Sequence, residues 1–141
     1  MTNAKKLEFL NASLERVAEK LGDITPPVVD RYYARFPEAK EAFEFHSVAD
    51  RRSLGGEMVE RTLYCLMTWL KCPGEIEIML MGSVPHHSVT LSVPTEHFNG
   101  FLMATIDTIE ETIPKDNAEE LAVLQGLRLD LGELIETSAA I

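Results

Sequence analysis

Apolar residues recur every three to four positions along almost the whole chain, the spacing that lines one face of an α-helix. Leu7, Leu10, Leu14, Val17 and Leu21 form the first such stripe, with Lys6, Glu15, Arg16 and Glu19 on the other faces, and Gly22 ends it. Thr25-Pro26-Pro27 opens a second helix that buries Val28, Val29, Tyr32, Tyr33 and Phe36. Thr25 suits its N-cap, and proline is tolerated in a first turn because the N–H it lacks has no helical partner there. Pro37 starts a short helix ending near Phe43, and the polar stretch Glu44 to Arg52 reads as a loop. Ser53 to Lys71 is a long helix with Leu54, Met58, Val59, Leu63, Leu66, Met67 and Leu70 on its apolar face, stopped by Cys72-Pro73-Gly74.

Glu75 to about Met81 forms a shorter helix, which Gly82-Ser83-Val84-Pro85 is expected to interrupt before one or two turns at His86 to Leu91. Pro94 opens the next long helix as a first-turn proline; that helix carries Phe98, Phe101, Leu102, Ile106, Ile109 and Ile113, and Pro114 ends it. Asp116 or Asn117 caps the last helix, whose stripe is Leu121, Leu124, Leu127, Leu131, Leu134 and Ile135. No window alternates with period two over a strand's length between turn signals, so the expectation is an all-α fold in one domain spanning 1–141.

Composition narrows the partners. With 45% hydrophobic and 26% charged residues the chain resembles an ordinary globular protein. Its net charge of −10, from 13 Lys+Arg against 23 Asp+Glu, repels nucleic acid and anionic bilayers. The N-terminal segment is polar, and no apolar run approaches the ~20 residues of a spanning helix, so a cytoplasmic location is expected. Cys65 and Cys72 form no CxxC pair and read as reduced thiols, Cys65 as a small buried hydrophobe.

The order of these elements carries the functional clue. Asp23-Ile24-Thr25-Pro26, then Tyr32-Tyr33-Ala34-Arg35-Phe36-Pro37-Glu38-Ala39 and Phe43, resembles the second helix, third helix and haem-packing phenylalanine of the globin family. His87 lies six residues before Val93-Pro94, a spacing similar to that between the globin proximal histidine and the start of the next long helix. Glu96-His97-Phe98 is similar to the opening of that helix in bacterial single-domain globins. The resemblance covers nearly the whole chain and implies a globin-like fold of six to eight helices around a haem b pocket.

It implies His87 as the iron ligand, for neutral imidazole suits haem iron. The ring's other nitrogen should donate to a carbonyl such as that of Ser83, fixing tautomer and orientation. Phe43 would stack on the porphyrin, Val93 and Phe98 would line the proximal side, and His86 would reach a haem propionate. His86 points about 100° away from His87 around a helix, so the two cannot share one iron. A lone histidine is ordinarily a surface or hydrogen-bonded core residue, and it is the surrounding pattern that separates His87 from that reading.

The distal side departs from common globin patterns. Gly55 fits the small residue at which two helices cross, placing Leu54 at the ligand-facing position and Met58 one turn on; an alternative register puts Met58 there, followed by Thr62. Val29 falls where many bacterial globins carry tyrosine. The pocket over the iron would then be Val29, Phe43, Leu54 and Met58, with no imidazole donor unless His46 swings in from its loop. Arg51, Arg52 and Arg61 are propionate partners or simply solvated charge. Trp69, Tyr64 and Met67 read as packing residues, and Glu110, Glu111, Glu119 and Glu120 as a solvated face.

The implied function is binding of a diatomic gas (O2, NO or CO) for oxygen binding or transport, NO detoxification or sensing. Any NO dioxygenase or peroxidase-like turnover would need a separate reductase, because the chain carries no flavin or nicotinamide domain. The alternative is a haem-free globin-like module for signalling or protein interaction, which Ser83 (where globins usually place leucine against the haem), Pro85 and the polar Thr62 favour.

Overall fold

The protein is described here from a computed structural model that covers residues 1–46 and 51–139, with side chains described outside 42–53. Seven α-helices and one π-helical turn make up the described residues, and no strand occurs among them. They are α1 (Asn3–Leu21), α2 (Thr25–Arg35), α3 (Pro37–His46), α4 (Arg51–Lys71), α5 (Pro73–Pro85), the π turn (His86–Thr90), α6 (Thr95–Glu110) and α7 (Ala118–Ala139). None is long and apolar enough to cross a membrane.

The apolar stripes become one core. Helix α6 packs on α2 and α7, α7 also on α5 and α1, and α4 on α1 and α5. Leu10, Val28, Leu66, Ile76, Ile106, Ile109, Leu124 and Leu131 meet there, almost wholly removed from solvent. Each such aliphatic side chain contributes on the order of 1.5–3 kcal/mol by leaving water.

Four local expectations need correction. The N-cap of α2 is Ile24, not Thr25; Thr25 is the first helical residue, and its amide donates to Asp23 Oδ1 at 3.0 Å. The acceptor one step further back does the capping work that a Thr25 hydroxyl would have done. Pro94 likewise lies just outside α6, in extended conformation, and the helix starts at Thr95. The polar stretch after Phe43 is not all loop: α3 runs to His46 and α4 starts at Arg51. Polar composition alone does not break a helix where neither Gly nor Pro intervenes.

The fourth correction matters most. Gly82-Ser83-Val84-Pro85 does not interrupt α5, which continues to Pro85 and passes directly into the π turn. Pro85 has no N–H, so the carbonyl one turn before it loses its helical partner. The chain widens instead of stopping: the Leu91 amide reaches back five residues to His86 O at 3.1 Å.

Helix ends are fastened by side chains. Thr2 accepts from the Lys5 amide at 3.1 Å, and Asn117 caps α7 by accepting from the Glu120 amide at 3.3 Å. Glu120, expected on a solvated face, is 1% exposed. Its carboxylate takes the Asn117 amide at 2.6 Å, the Ser13 hydroxyl at 2.5 Å and the Arg16 guanidinium, tying α1 to the start of α7. Asp107 on α6 joins Arg35 of α2 at 2.5 Å to Arg128 of α7 at 2.6 Å.

Gly100 permits the α2–α6 contact. A Cβ there would lie 2.2 Å from the Phe36 ring. Gly100→Ala is expected to displace that ring and cost about 1–3 kcal/mol, read as a fall in denaturant midpoint at unchanged slope.

Both carboxylates set an acid limit. Burial pushes the Asp107 carboxyl up, but hydrogen bonds from Arg35 and Arg128 outweigh it, so it titrates below its ordinary 3.8. Burial acts likewise on Glu120, and the Arg16 and Ser13 hydrogen bonds hold it below its ordinary 4.5. A depressed folded-state pKa gives stability that is present above the unfolded-state value and lost as pH falls through the folded one. Unfolding free energy is therefore expected to be level at neutral pH and to fall once the pH drops below about 4.5. Arg16→Ala should cost about 2–3 kcal/mol at pH 7 and flatten that acid slope in pH-dependent denaturation.

Candidate functional site

The chain from Pro85 to Pro94 holds one imidazole in a fixed attitude. His86 N–H bonds back to Gly82 O and Ser83 O, the Val93 amide donates to His87 O at 2.7 Å, and Ser92 takes a left-handed φ of 56° that turns the chain toward α6. Holding a serine in that region costs about 1 kcal/mol or more, supported by the bonds on either side. His87 Nδ1 lies 2.7 Å from Ser83 O. A carbonyl only accepts, so Nδ1 carries a proton, and in the neutral ring Nε2 holds the lone pair. Phe98, in the first turn of α6, sets its ring edge-on to the imidazole at 4.9 Å between centroids.

This imidazole lines a cavity of about 330 Å³, within the ~300–1,000 Å³ of small-molecule pockets. Helix α4 supplies one wall, through Leu54, Met58, Arg61, Thr62 and Cys65. Met79, Leu80, Ser83 and His87 of α5 and the π turn form another, continued by Leu91 and Val93. His97, Phe98, Phe101 and Leu102 of α6 and Leu131 and Ile135 of α7 close the floor, and Tyr32 and Ala39 complete the lining. Helix α4 and the π turn scarcely touch, so the cavity lies between them.

The few polar groups in this lining are individually accounted for. The Thr62 hydroxyl donates to Met58 O at 2.8 Å. Burial pushes the Tyr32 phenol well above its usual range and the Cys65 thiol up to about 11, so both stay protonated at neutral pH. His97 is 7% exposed, packs against the Phe36 ring at 4.8 Å and donates through Nε2 to Glu38 Oε1 at 3.2 Å. Arg61 is exposed, at the cavity's edge, and no ion pair among the described residues involves it.

Of the residues singled out from the sequence, Leu54, Met58, His87, Val93 and Phe98 come together around this cavity. His86 does not join them: it is exposed, its ring edge-on to His87 at 5.8 Å. Phe43, His46, Arg51 and Arg52 have side chains outside the described residues. Gly55 does sit at a helix crossing: a Cβ there would lie 3.4 Å from both Thr25 Cγ2 and Val29 Cγ2. That contact explains a correction, for Val29 packs on Gly55 and does not line the cavity, while Tyr32 does.

His97 was read only as part of a motif, and its place in the lining was missed. The signal was available: it stands four residues before Phe101, on the buried stripe of its own helix. No family model, curated protein or solved structure matches this chain.

The two cysteines should separate chemically. Cys72 is exposed and Cys65 half-buried in the cavity wall. A thiol-reactive dye at pH 7 is expected to label one cysteine rapidly and Cys65 far more slowly, with Cys72→Ser abolishing the fast phase.

Proposed function

We propose that this chain is a globin-like haem protein in which His87 holds the iron through Nε2 and the cavity takes the porphyrin, for binding a diatomic gas. One observation carries the reading: an imidazole lining a largely apolar cavity, with Nδ1 engaged by the Ser83 carbonyl at 2.7 Å. That is the arrangement a metal-ligating histidine needs, since a carbonyl on one nitrogen fixes the tautomer and raises the basicity of the other.

The donor chemistry fits the group. Ser83, where a leucine would be expected against a haem, contributes through its backbone carbonyl, so a small side chain there does not weaken the histidine. Phe98 and Val93 supply apolar contact beside the imidazole, and Leu54 and Met58 do so from α4. Burying a large flat macrocycle among such side chains is driven by removal of carbon surface from water. When bound, haem iron supplies an open coordination position for a gas. The chain's own part is to hold the imidazole, exclude water and set the polarity of the pocket.

That polarity favours some ligands over others. On the described part of α4, the Thr62 hydroxyl is committed to a backbone carbonyl, Cys65 is a weak donor, and Arg61 is turned to solvent at the cavity's edge. An O2 ligand gathers negative charge and gains from a hydrogen bond; CO gains little. Losing one charge-assisted bond costs ~1.5–3 kcal/mol, or about ten- to hundred-fold in affinity. Oxygen storage, NO removal with a separate reductase, and gas sensing all remain within this reading.

Reconstitution tests it. Purified protein mixed with haemin should develop a Soret band and give a pyridine haemochrome, and His87→Ala should lose the pigment while His86→Ala keeps it. Protein that stays colourless would return the chain to the haem-free signalling reading, and loss with His86→Ala alone would move the ligand by one residue. In the reduced pigmented protein, titrations should show weak discrimination for O2 over CO and rapid oxidation in air; tight O2 binding would overturn the donor-poor pocket.

A further inference from the structure

We infer that Met58 is a second, displaceable ligand for the same iron, its thioether taking the coordination position that a gas must occupy. This deepens the haem reading and rests on it. The cavity lies between the π turn, which carries His87, and α4, so α4 is the wall from which a group could meet the iron on its other face.

Among the described residues of that wall only one suits the role. Leu54 has no lone pair to give. Arg61 is a permanent cation without an acceptor. The Thr62 hydroxyl, whose proton goes to Met58 O at 2.8 Å, offers only a hard, neutral oxygen, a poor match for haem iron. Cys65 is held as a thiol, its pKa pushed up to about 11, and lies about 10 Å further along the helix axis than Met58.

Among the described residues, the other walls offer no better donor. Met79 belongs to the same run of helix as His87 and so to the imidazole's own side of the cavity. His97 gives its Nε2 to Glu38 and packs on Phe36, and Tyr32 is held as a neutral phenol.

A methionine at this place has the right chemistry. The thioether is neutral and soft, so it binds iron with no proton to lose, and its unbranched side chain adapts to irregular space. Histidine with methionine is an established axial pair and raises the reduction potential. Sulfur donates one lone pair to form the bond and takes it back when CO displaces it; no electron or proton is transferred. Ligand binding is then a competition, and apparent affinity falls by the fraction of molecules in the open form.

The test uses the full chain reconstituted with haemin and compares it with Met58→Leu, a volume-conserving change. Wild-type ferric protein should show the long-wavelength charge-transfer absorption of an iron–thioether bond, and Met58→Leu should lose it, with a lower reduction potential. Ferrous Met58→Leu should bind CO about ten-fold more tightly if the thioether occupies iron nine-tenths of the time. In wild type, which needs no variant, the observed CO binding rate should level off at high CO, at the rate of thioether release.

Met79→Leu and Cys65→Ser should keep the thioether absorption. Pigment bound through His87, with identical spectra, potential and CO kinetics in wild type and Met58→Leu, overturns this inference and leaves the haem reading intact. Loss of the signature in Met79→Leu or Cys65→Ser instead reassigns the sulfur and overturns Met58. Wild type that takes up no pigment overturns both.

Discussion

The hydrogen bond between His87 Nδ1 and the Ser83 carbonyl spans a fault in a helix. A carbonyl has two lone pairs, so Ser83 O can serve the backbone ladder and an imidazole four residues on at once. Pro85 removes one donor from this ladder, and the chain after it widens into a π turn closed by Leu91 on His86. The Ser83 carbonyl accepts both from the His86 amide and from the His87 ring. A residue that reads as a helix breaker thus lies between the two groups whose bond fixes the attitude of the imidazole.

This also shows where the sequence was legible and where it was not. The apolar stripes give the long helices, because a 3–4 repeat over many residues has one economical burial. They also place Leu54, Met58, Val93 and Phe98 near His87, since each lies on the inward stripe of its helix or in the short link between two helices. What the stripes do not encode is how a helix accommodates a local defect. Gly82 to Pro85 carries the composition of a break, and only the packing of Ile76, Leu80 and Val84 into the core shows why α5 continues through it.

The same limit explains Val29 and Tyr32. Both fall on the buried side of α2 by spacing, and neither pattern nor propensity says which one faces the cavity. Gly55 decides it: the absent side chain lets α4 come close enough to occupy Val29, leaving Tyr32 to the lining. Glu120 was misread for a related reason. An acidic residue near a helix start is normally solvated, and only the arrival of Ser13 and Arg16 from α1 makes its burial tolerable.

Charge and cavity are kept apart in this fold. Among the described residues, the arginine–carboxylate pairs between helices, including Arg16 with Glu120 and Asp107 with Arg35 and Arg128, use no residue of the cavity lining, while His97 of the lining turns its Nε2 to Glu38. Among the described residues of the lining only Arg61 bears a permanent charge, and it is exposed. Because fields act strongly where water is scarce, a carboxylate facing the cavity would bias the electronic state of whatever metal lay there. With those charges placed elsewhere, the polar character of the described lining comes from two imidazoles, two thioethers, a thiol, a phenol and two hydroxyls. An acidic chain in this way keeps most of its charge off the walls of its cavity.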